Sequence, residues 1–351
     1  MNVKPLFKLM ADKKASDLFF TTYAPVMIKI DGRLQPVNQM ELTPKMVRQA
    51  ALELMNEEQL EEFTRELEID FAISEPEIGR FRVNVFHQRG NIGMVLRFVS
   101  PKIPVLEELG MPESMKELIM LRRGMILMVG ANGSGKSTTI AAMIGHRNNH
   151  SASHIVTIED PIEFLHPNKK SIIDQREVGL DTRSYSRALR SVMREAADVI
   201  LIGEIRDRET MQATIDLAGT GHLAIATLHA NNSPETLDRI INMYPHEQHR
   251  QVFMDLSQYL RAIISQRLVR SKDGDRVAAV EIMLNTPHIS ELMLKGDVSG
   301  VKEAFKNTTE PGMQCFDDAL LELYRDGRVS MEEALVHADS RANLEAKINF
   351  G

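Results

Sequence analysis

The sequence predicts an α/β protein in two parts. A small α+β unit covers residues 1–100, a linker 101–116, and an open parallel α/β sheet domain 117–351. Three observations carry this. Beyond residue 125, short apolar runs and helix-like segments alternate, the pattern of parallel strands joined by crossover helices. A glycine-rich stretch falls between the first such strand and the first such helix. The Pro-bearing break Ser100-Pro101-Lys102-Ile103-Pro104 separates this region from an earlier hairpin.

In the first part, residues 26–30 read as a strand ending at an Asp31-Gly32 turn, and Thr43-Pro44 as a helix start, with Thr43 the N-cap. The acidic run 57–68 reads as the solvated face of a helix. Residues 80–86 alternate, with Arg80, Arg82 and Asn84 on one face and Phe81, Val83 and Val85 on the other. Gly90-Asn91 reads as a hairpin turn, returning through a strand over 94–99. That register would place Arg97 opposite Asn84 and diagonal to Arg82. In the second part, strands are expected at 125–129, 154–158, 199–202 and 222–227. Helices are expected at 136–145, 183–194 and 210–218, and the stretch after Pro287 should be helical.

Composition narrows the class. The 351 residues are 43% hydrophobic and 26% charged, an ordinary globular balance, with a net charge of −7. Nucleic-acid binders carry a basic excess, so nucleic acid is not an expected partner. Cys315 is the single cysteine, which excludes an internal disulfide and a Cys-rich zinc module. No run approaches 18 apolar residues and no signal peptide is apparent, so a cytoplasmic protein without a transmembrane segment is expected.

Gly130-Ala131-Asn132-Gly133-Ser134-Gly135-Lys136-Ser137, followed by Thr138, matches G-x-x-x-x-G-K-[ST] in full. Its glycines let backbone N–H groups face an anion without interference from a Cβ. The helix N-terminus behind them adds partial positive charge. Lys136 could reach β- and γ-phosphates, and the Ser137 hydroxyl could ligate Mg²⁺. Binding of ATP is the expectation.

Hydrolysis needs carboxylates to manage the metal and the attacking water. Ile200-Leu201-Ile202-Gly203-Glu204 is an apolar strand ending in an acid. Glu204 would hold Mg²⁺, directly or through water, unless it only caps the next helix. Glu159, Asp160 and Glu163 cluster after the strand at 154–158, where α/β sites gather.

With these motifs in order, the sequence resembles the secretion ATPases of type II secretion and type IV pili, and within them the PilT/PilU retraction branch. The resemblance covers essentially the whole chain. It rests on the P-loop; on Thr157-Ile158-Glu159-Asp160-Pro161-Ile162-Glu163, similar to the family's Asp box; on Ile202-Gly203-Glu204-Ile205-Arg206-Asp207, similar to its Walker B; and on Gly219-Thr220-Gly221-His222 through Thr227-Leu228-His229, similar to its His box. It implies a RecA-like ATPase domain behind a PAS-like N-terminal domain. Glu163 becomes the catalytic glutamate that polarises water, and His229, with His222, a sensor of the γ-phosphate region. A buried, hydrogen-bonded histidine is the other reading of His222. Spaced seven apart on one strand, the two histidines would face opposite ways and make a poor metal site.

The resemblance also implies a homohexamer in which hairpin arginines reach a neighbouring subunit's ATP. Arg82 and Arg97 are the choice over Arg80 and Arg89, with a solvated basic face as the alternative. Arg267 is similar to another family arginine near the nucleotide. Extension and secretion ATPases carry a four-cysteine zinc element, which Cys315 alone cannot build, and a long extra N-terminal domain, which is not expected here. The stretch His288-Ile289-Ser290-Glu291-Leu292-Met293-Leu294-Lys295 departs from the arginine-bearing motif of PilT. The tail Gly312-Met313-Gln314-Cys315-Phe316-Asp317-Asp318-Ala319-Leu320 and the later Ala338-Asp339-Ser340-Arg341 resemble PilU more. The expectation is an accessory retraction motor working with a PilT-type ATPase at an inner-membrane pilus platform protein, peripheral to the membrane. The rivals are a non-catalytic ATP-binding scaffold and a secretion or extension ATPase.

Overall fold

Period-2 patterning decides the first unit. Phe81, Val83 and Val85 are fully buried, while Arg80, Arg82 and Asn84 between them stay partly exposed. In the computed structural model, which describes residues 3–30, 32–76, 78–99 and 102–350, these residues lie on a six-stranded antiparallel sheet. Its strands are β1 (Asp17–Phe20), β2 (Met27–Ile30), β3 (Arg33–Pro36), β4 (Glu68–Glu75), β5 (Gly79–Gln88) and β6 (Asn91–Val99). They run in the order β3-β2-β1-β6-β5-β4. The helices Lys4–Asp12, Pro44–Leu54 and Glu57–Glu66 belong to the same unit. Thr43 caps the second, accepting from Met46 N, and Asn56 and Gln59 form a capping box on the third.

The hairpin register differs from the sequence expectation. Gln88 pairs with Asn91, so Arg89 and Gly90 are the loop residues, not Gly90 and Asn91. Their φ values of 47° and 74° are both positive, as a type I′ turn requires. The shift moves the pairing, so that Arg82 lies directly opposite Arg97 and Asn84 opposite Val95. Asp31 of the expected first turn, and Ser100 and Pro101 of the expected break, lie outside the described residues.

The chain divides into Met1–Lys102 with Glu163–Leu165, and Ile103–Ile162 with His166–Gly351. The expected linker is therefore mostly part of the second unit. Leu106 and Met115 are buried in a core with Ile126, Met128 and Ile140, because apolar side chains there have a sheet face to cover.

The second unit holds a seven-stranded sheet of β7 (Gly124–Val129), β8 (His154–Glu159), β9 (Ile172–Glu177), β10 (Val199–Ile202), β11 (Leu223–Leu228), β12 (Leu260–Arg270) and β13 (Arg276–Leu284). The order is β13-β12-β7-β11-β10-β8-β9, parallel throughout except for the β12–β13 pair. Strands β7, β10 and β11 are buried at every residue. Met125, Leu127 and Val129 point into one core, and Ile126 and Met128 into another. A sheet covered on both faces is why these strands read as unbroken apolar runs. The stretch after Pro287 is helical as expected, from the helix Pro287–Leu294 to the helix Arg341–Phe350. The sheet sets the loops after β7, β8, β10 and β11 at its carboxyl edge, where α/β sites form.

Candidate functional site

The P-loop leaves β7 at Val129 and enters the helix Lys136–His150 at Gly135. Gly133 and Gly135 have φ of 76° and 87°, open to glycine with little strain. Gly130 must also be small: a Cβ there would meet the Gln266 carbonyl oxygen at 2.5 Å and Ser134 Oγ at 2.6 Å. Ala131, Asn132 and Gly133 are exposed at the tip, while Ser134 and Lys136 are buried. The Lys136 ammonium donates to the carbonyls of Gly130 at 2.8 Å and Ala131 at 2.9 Å. A bound phosphate would take over those hydrogen bonds.

Gln266 supports the loop from β12. Its Nε2 donates to Ser134 O at 2.8 Å, and its Oε1 accepts from Thr139 Oγ1 at 2.8 Å. It is buried, and sequence reasoning passed over it for the arginine beside it. Apolar residues 262–264 and 268–269 flank Ser265, Gln266 and Arg267, so the sequence marks a polar site inside a strand without saying which of them meets the loop.

The acid cluster stands at the ends of β8 and β10. Glu204 uses both oxygens. Oε1 lies 2.8 Å from His229 Nε2, and Oε2 accepts from Arg206 Nε at 2.7 Å. His229 Nδ1 lies 3.4 Å from Gly130 O, so the histidine links Glu204 to the P-loop backbone. Arg206 also reaches Asp160, at 3.6 Å, so one guanidinium supplies positive charge between two carboxylates. Glu159 accepts from Thr157 Oγ1 at 2.6 Å and from Gln175 Nε2 at 3.2 Å. The Tyr185 hydroxyl is buried against this cluster. Burial, then the Asp160 carboxylate, pushes its phenol up from its ordinary value. Glu163 is exposed on the irregular segment after β8.

Among the described residues, no three His, Cys, Asp or Glu side chains gather into a metal cage. Mg²⁺ is usually held by one or two protein oxygens with substrate phosphates and water. Ser137 and Glu204 fit such a set. Because both Glu204 oxygens are engaged, the fit is through water, or by displacement of Arg206.

The model for the type II/IV secretion system protein family matches residues 2–344. The chain belongs to this family. A protein named type IV pilus ATPase PilU, from Pseudomonas aeruginosa, is 49% identical over 100% of this chain and 92% of its own length. One named type IV pilus retractation ATPase PilT, from the same organism, is 42% identical over 95% of this chain and 97% of its own. A crystal structure of the pilus retraction motor PilT with bound ADP superposes with a TM-score of 0.92 at 38% identity. It covers 98% of this chain and 99% of its own. The fold is thus a RecA-like ATPase domain with a smaller N-terminal domain.

Two residues expected at the nucleotide on family grounds lie elsewhere. His222 precedes β11 beside Gly124, at the opposite end of the strands from the P-loop; Gly124 N donates to its carbonyl at 3.0 Å. Six residues of strand β11 put it about 20 Å from His229. The two histidines therefore bracket the strand instead of facing opposite ways from it. His222 Nδ1 lies 3.1 Å from Leu217 O and 3.1 Å from Thr220 Oγ1, as a structural histidine would. Arg267 neighbours Gln266 on β12, so its side chain leaves the other face of the strand. It pairs with Asp339 at 2.7 Å, donates to His337 O at 2.8 Å and stacks 3.8 Å over the Phe316 ring. It fastens the C-terminal helices instead of meeting phosphate.

In the first unit, register explains the arginine pair. A cross-strand row runs Lys29, Asp17, Arg97, Arg82, Ala72. Arg97 Nε donates to the buried Asp17 at 2.9 Å, yet the arginine side chain is 65% exposed. Lys29 is the register partner of Asp17 on its other side, and along this row Arg82 stands next to Arg97 and Ala72, with no acid beside it.

Proposed function

We propose that this protein is a Mg²⁺-dependent ATPase that powers type IV pilus retraction as a homohexameric motor of the PilU type. It acts with a PilT-type ATPase at the cytoplasmic face of an inner-membrane pilus platform protein. The observation that carries the catalytic half is the connection Arg206–Glu204–His229–Gly130 O, which ties the acid cluster to the phosphate cradle in one chain. A loop that only bound nucleotide would not need its backbone tied to a carboxylate. The relatives' names and their full-length coverage support the pilus half.

Each residue then has a task. The backbone of Gly130 to Thr138 cradles the phosphates, and Lys136 turns from its two carbonyls to the β- and γ-phosphates. Mg²⁺, when bound, neutralises charge on the β- and γ-oxygens. Ser137 would be its protein ligand, and Glu204 would hold it through water. Glu163 polarises the attacking water. His229 senses the γ-phosphate region, and its link to Glu204 passes on whether that phosphate is present. Arg82 and Arg97 stabilise the transferring phosphate of a neighbouring subunit, as trans arginines do.

The test is phosphate release by wild type, Lys136→Ala and Glu163→Gln, with Mg²⁺ and with a chelator. Loss of about 100-fold or more is expected in each variant and on chelation. Full turnover by Lys136→Ala would remove the P-loop from the reaction. ATP binding without turnover in the wild type, alone or with a PilT-type partner, would instead make the protein a scaffold.

A further inference from the structure

Glu281 on β13 is 2% exposed, yet it carries a carboxylate. Its Oε1 accepts from Ser233 N at 2.7 Å, Ser233 Oγ at 2.7 Å and Ser265 Oγ at 2.9 Å. Its Oε2 accepts no hydrogen bond among the described residues, and it is not one of the atoms sealed inside the protein. A glutamine oxygen would serve the same three donors with no charge to bury, and buried charges are ordinarily paired. Burial pushes the carboxyl up from its ordinary value, against the pull of the donors from Ser233 and Ser265. A cationic donor on Oε2 would favour the charged form.

Glu281 lines a cavity of about 410 Å³ in the second unit, between the start of the helix Ser233–Ile241 and the helices Val298–Lys306 and Arg341–Phe350. That volume is too large for one bridging water and falls in the range of small-ligand sites. Most other charges on its walls are spent. Asp339 pairs with Arg267 at 2.7 Å, Asp317 accepts from Asp339 N at 2.8 Å, and Lys347 pairs with Asp318 at 2.7 Å. Lys302 and Lys306 are exposed and have no ion pair among the described residues. Four apart on one helix, they share a face and repel each other. The cavity thus offers one buried carboxylate oxygen inside and two free ammonium groups at its edge. No three His, Cys, Asp or Glu among the described residues could hold a metal ion, so the cation that suits Glu281 is organic. The nucleotide cradle is elsewhere. Arg267 meets Asp339 at the cavity wall, while its neighbour Gln266 leaves the other face of β12 for the P-loop.

We propose that this cavity binds a small zwitterion, its ammonium on Glu281 Oε2 and its anionic group between Lys302 and Lys306.

The test is titration calorimetry on the full chain with γ-aminobutyrate, L-glutamate, phosphoethanolamine and phosphoserine, and with butyrate, ethanolamine and inorganic phosphate as half-ligands. At least one zwitterion should bind with Kd below about 1 mM. The half-ligands should bind at least about tenfold more weakly, each lacking one charged contact. Lys302→Ala/Lys306→Ala changes only exposed positions, so it should fold normally and lose about tenfold in affinity. Glu281→Gln keeps an acceptor for Ser233 and Ser265 and should lose as much. If that variant does not fold, the ratio between γ-aminobutyrate and butyrate reads the same contact. No binding by any of the four zwitterions would overturn the proposal. So would half-ligands that bind as well as the whole, or binding unchanged in the double lysine variant. Binding lost in Lys136→Ala but kept in the double lysine variant would put the probe at the P-loop and overturn it as well. None of these readings uses turnover, so they stand apart from the ATPase assay.

Discussion

Lys136 and Arg97 are both cations held by oxygen atoms, yet their surroundings differ. Lys136 is 9% exposed, with its ammonium on two carbonyls of its own loop and Gln266 bracing that loop from behind. Arg97 is held by Asp17, keeps its side chain 65% exposed and faces a second arginine across the strand pair. The first arrangement is built within one chain: the two carbonyls and the Gln266 amide that shape it all come from the second unit. The second sets two like charges at directly paired positions, an arrangement that costs stability. An anion supplied from outside would remove that cost. The difference suggests that phosphate is gripped in cis and the arginines work in trans.

The largest effect separates the two by mixing. Lys136→Ala and the double variant Arg82→Ala/Arg97→Ala should each lose about 100-fold or more of turnover when assayed alone. Mixed in equal amounts and allowed to exchange subunits, they should regain at least about tenfold over either. Some sites would then combine an intact P-loop with a neighbour's intact arginines. A mixture as inactive as its parts would break the comparison, because both defects would lie in the same chain's site.

A smaller effect probes the brace. Gln266→Leu keeps the volume but leaves Ser134 O and the Thr139 hydroxyl unpaired in a buried place. About 1–3 kcal/mol of stability should be lost, seen by chemical denaturation. Affinity for a fluorescent ATP analogue should weaken about tenfold, since the loop's shape is no longer fixed. The arginine variants should leave that affinity nearly intact. Equal weakening in both would mean that the arginines also bind ground-state nucleotide.

How much of this was legible in the sequence follows from where the forces are local. The P-loop, the strand ends at Glu204 and Glu159, and the buried strands β7, β10 and β11 were readable because spacing and apolar runs are local signals. The hairpin register was missed by the choice of loop residues. Glycine and asparagine favour a turn, but Arg89 takes the left-handed position, held there by the pairing on both sides. Strands β12 and β13 were not expected, because Ser265, Gln266, Arg267 and Glu281 interrupt their apolar pattern. Those residues are satisfied only by partners far along the chain. Glu281, for instance, accepts from Ser233 and Ser265 in the core. For the same reason no local pattern could tell Gln266 from Arg267, since only the face of the strand decides which one meets the P-loop. His222 was misplaced for a related reason, as a motif gives order along the chain but not which end of a strand each residue occupies.

The smallest effect is the most pointed test of the arginine pair. If Arg82 is kept for a partner's phosphate, removing it should help the isolated chain. Arg82→Ala deletes one charge of a directly opposed pair, of which Arg97 is already engaged by Asp17. The folded state should gain a few tenths to about 1 kcal/mol, read as a higher Tm in protein too dilute to assemble. The gain should shrink as salt rises, because the repulsion is screened at the exposed edge. Asp17→Asn should do the reverse, lowering Tm by leaving Arg97 and Arg82 facing each other without a counter-charge. A fall in Tm for Arg82→Ala would mean that the arginine packs for the sheet's own benefit through its methylene stem. The contrast with Lys136 would then lose its meaning, for both cations would be structural parts of their own units.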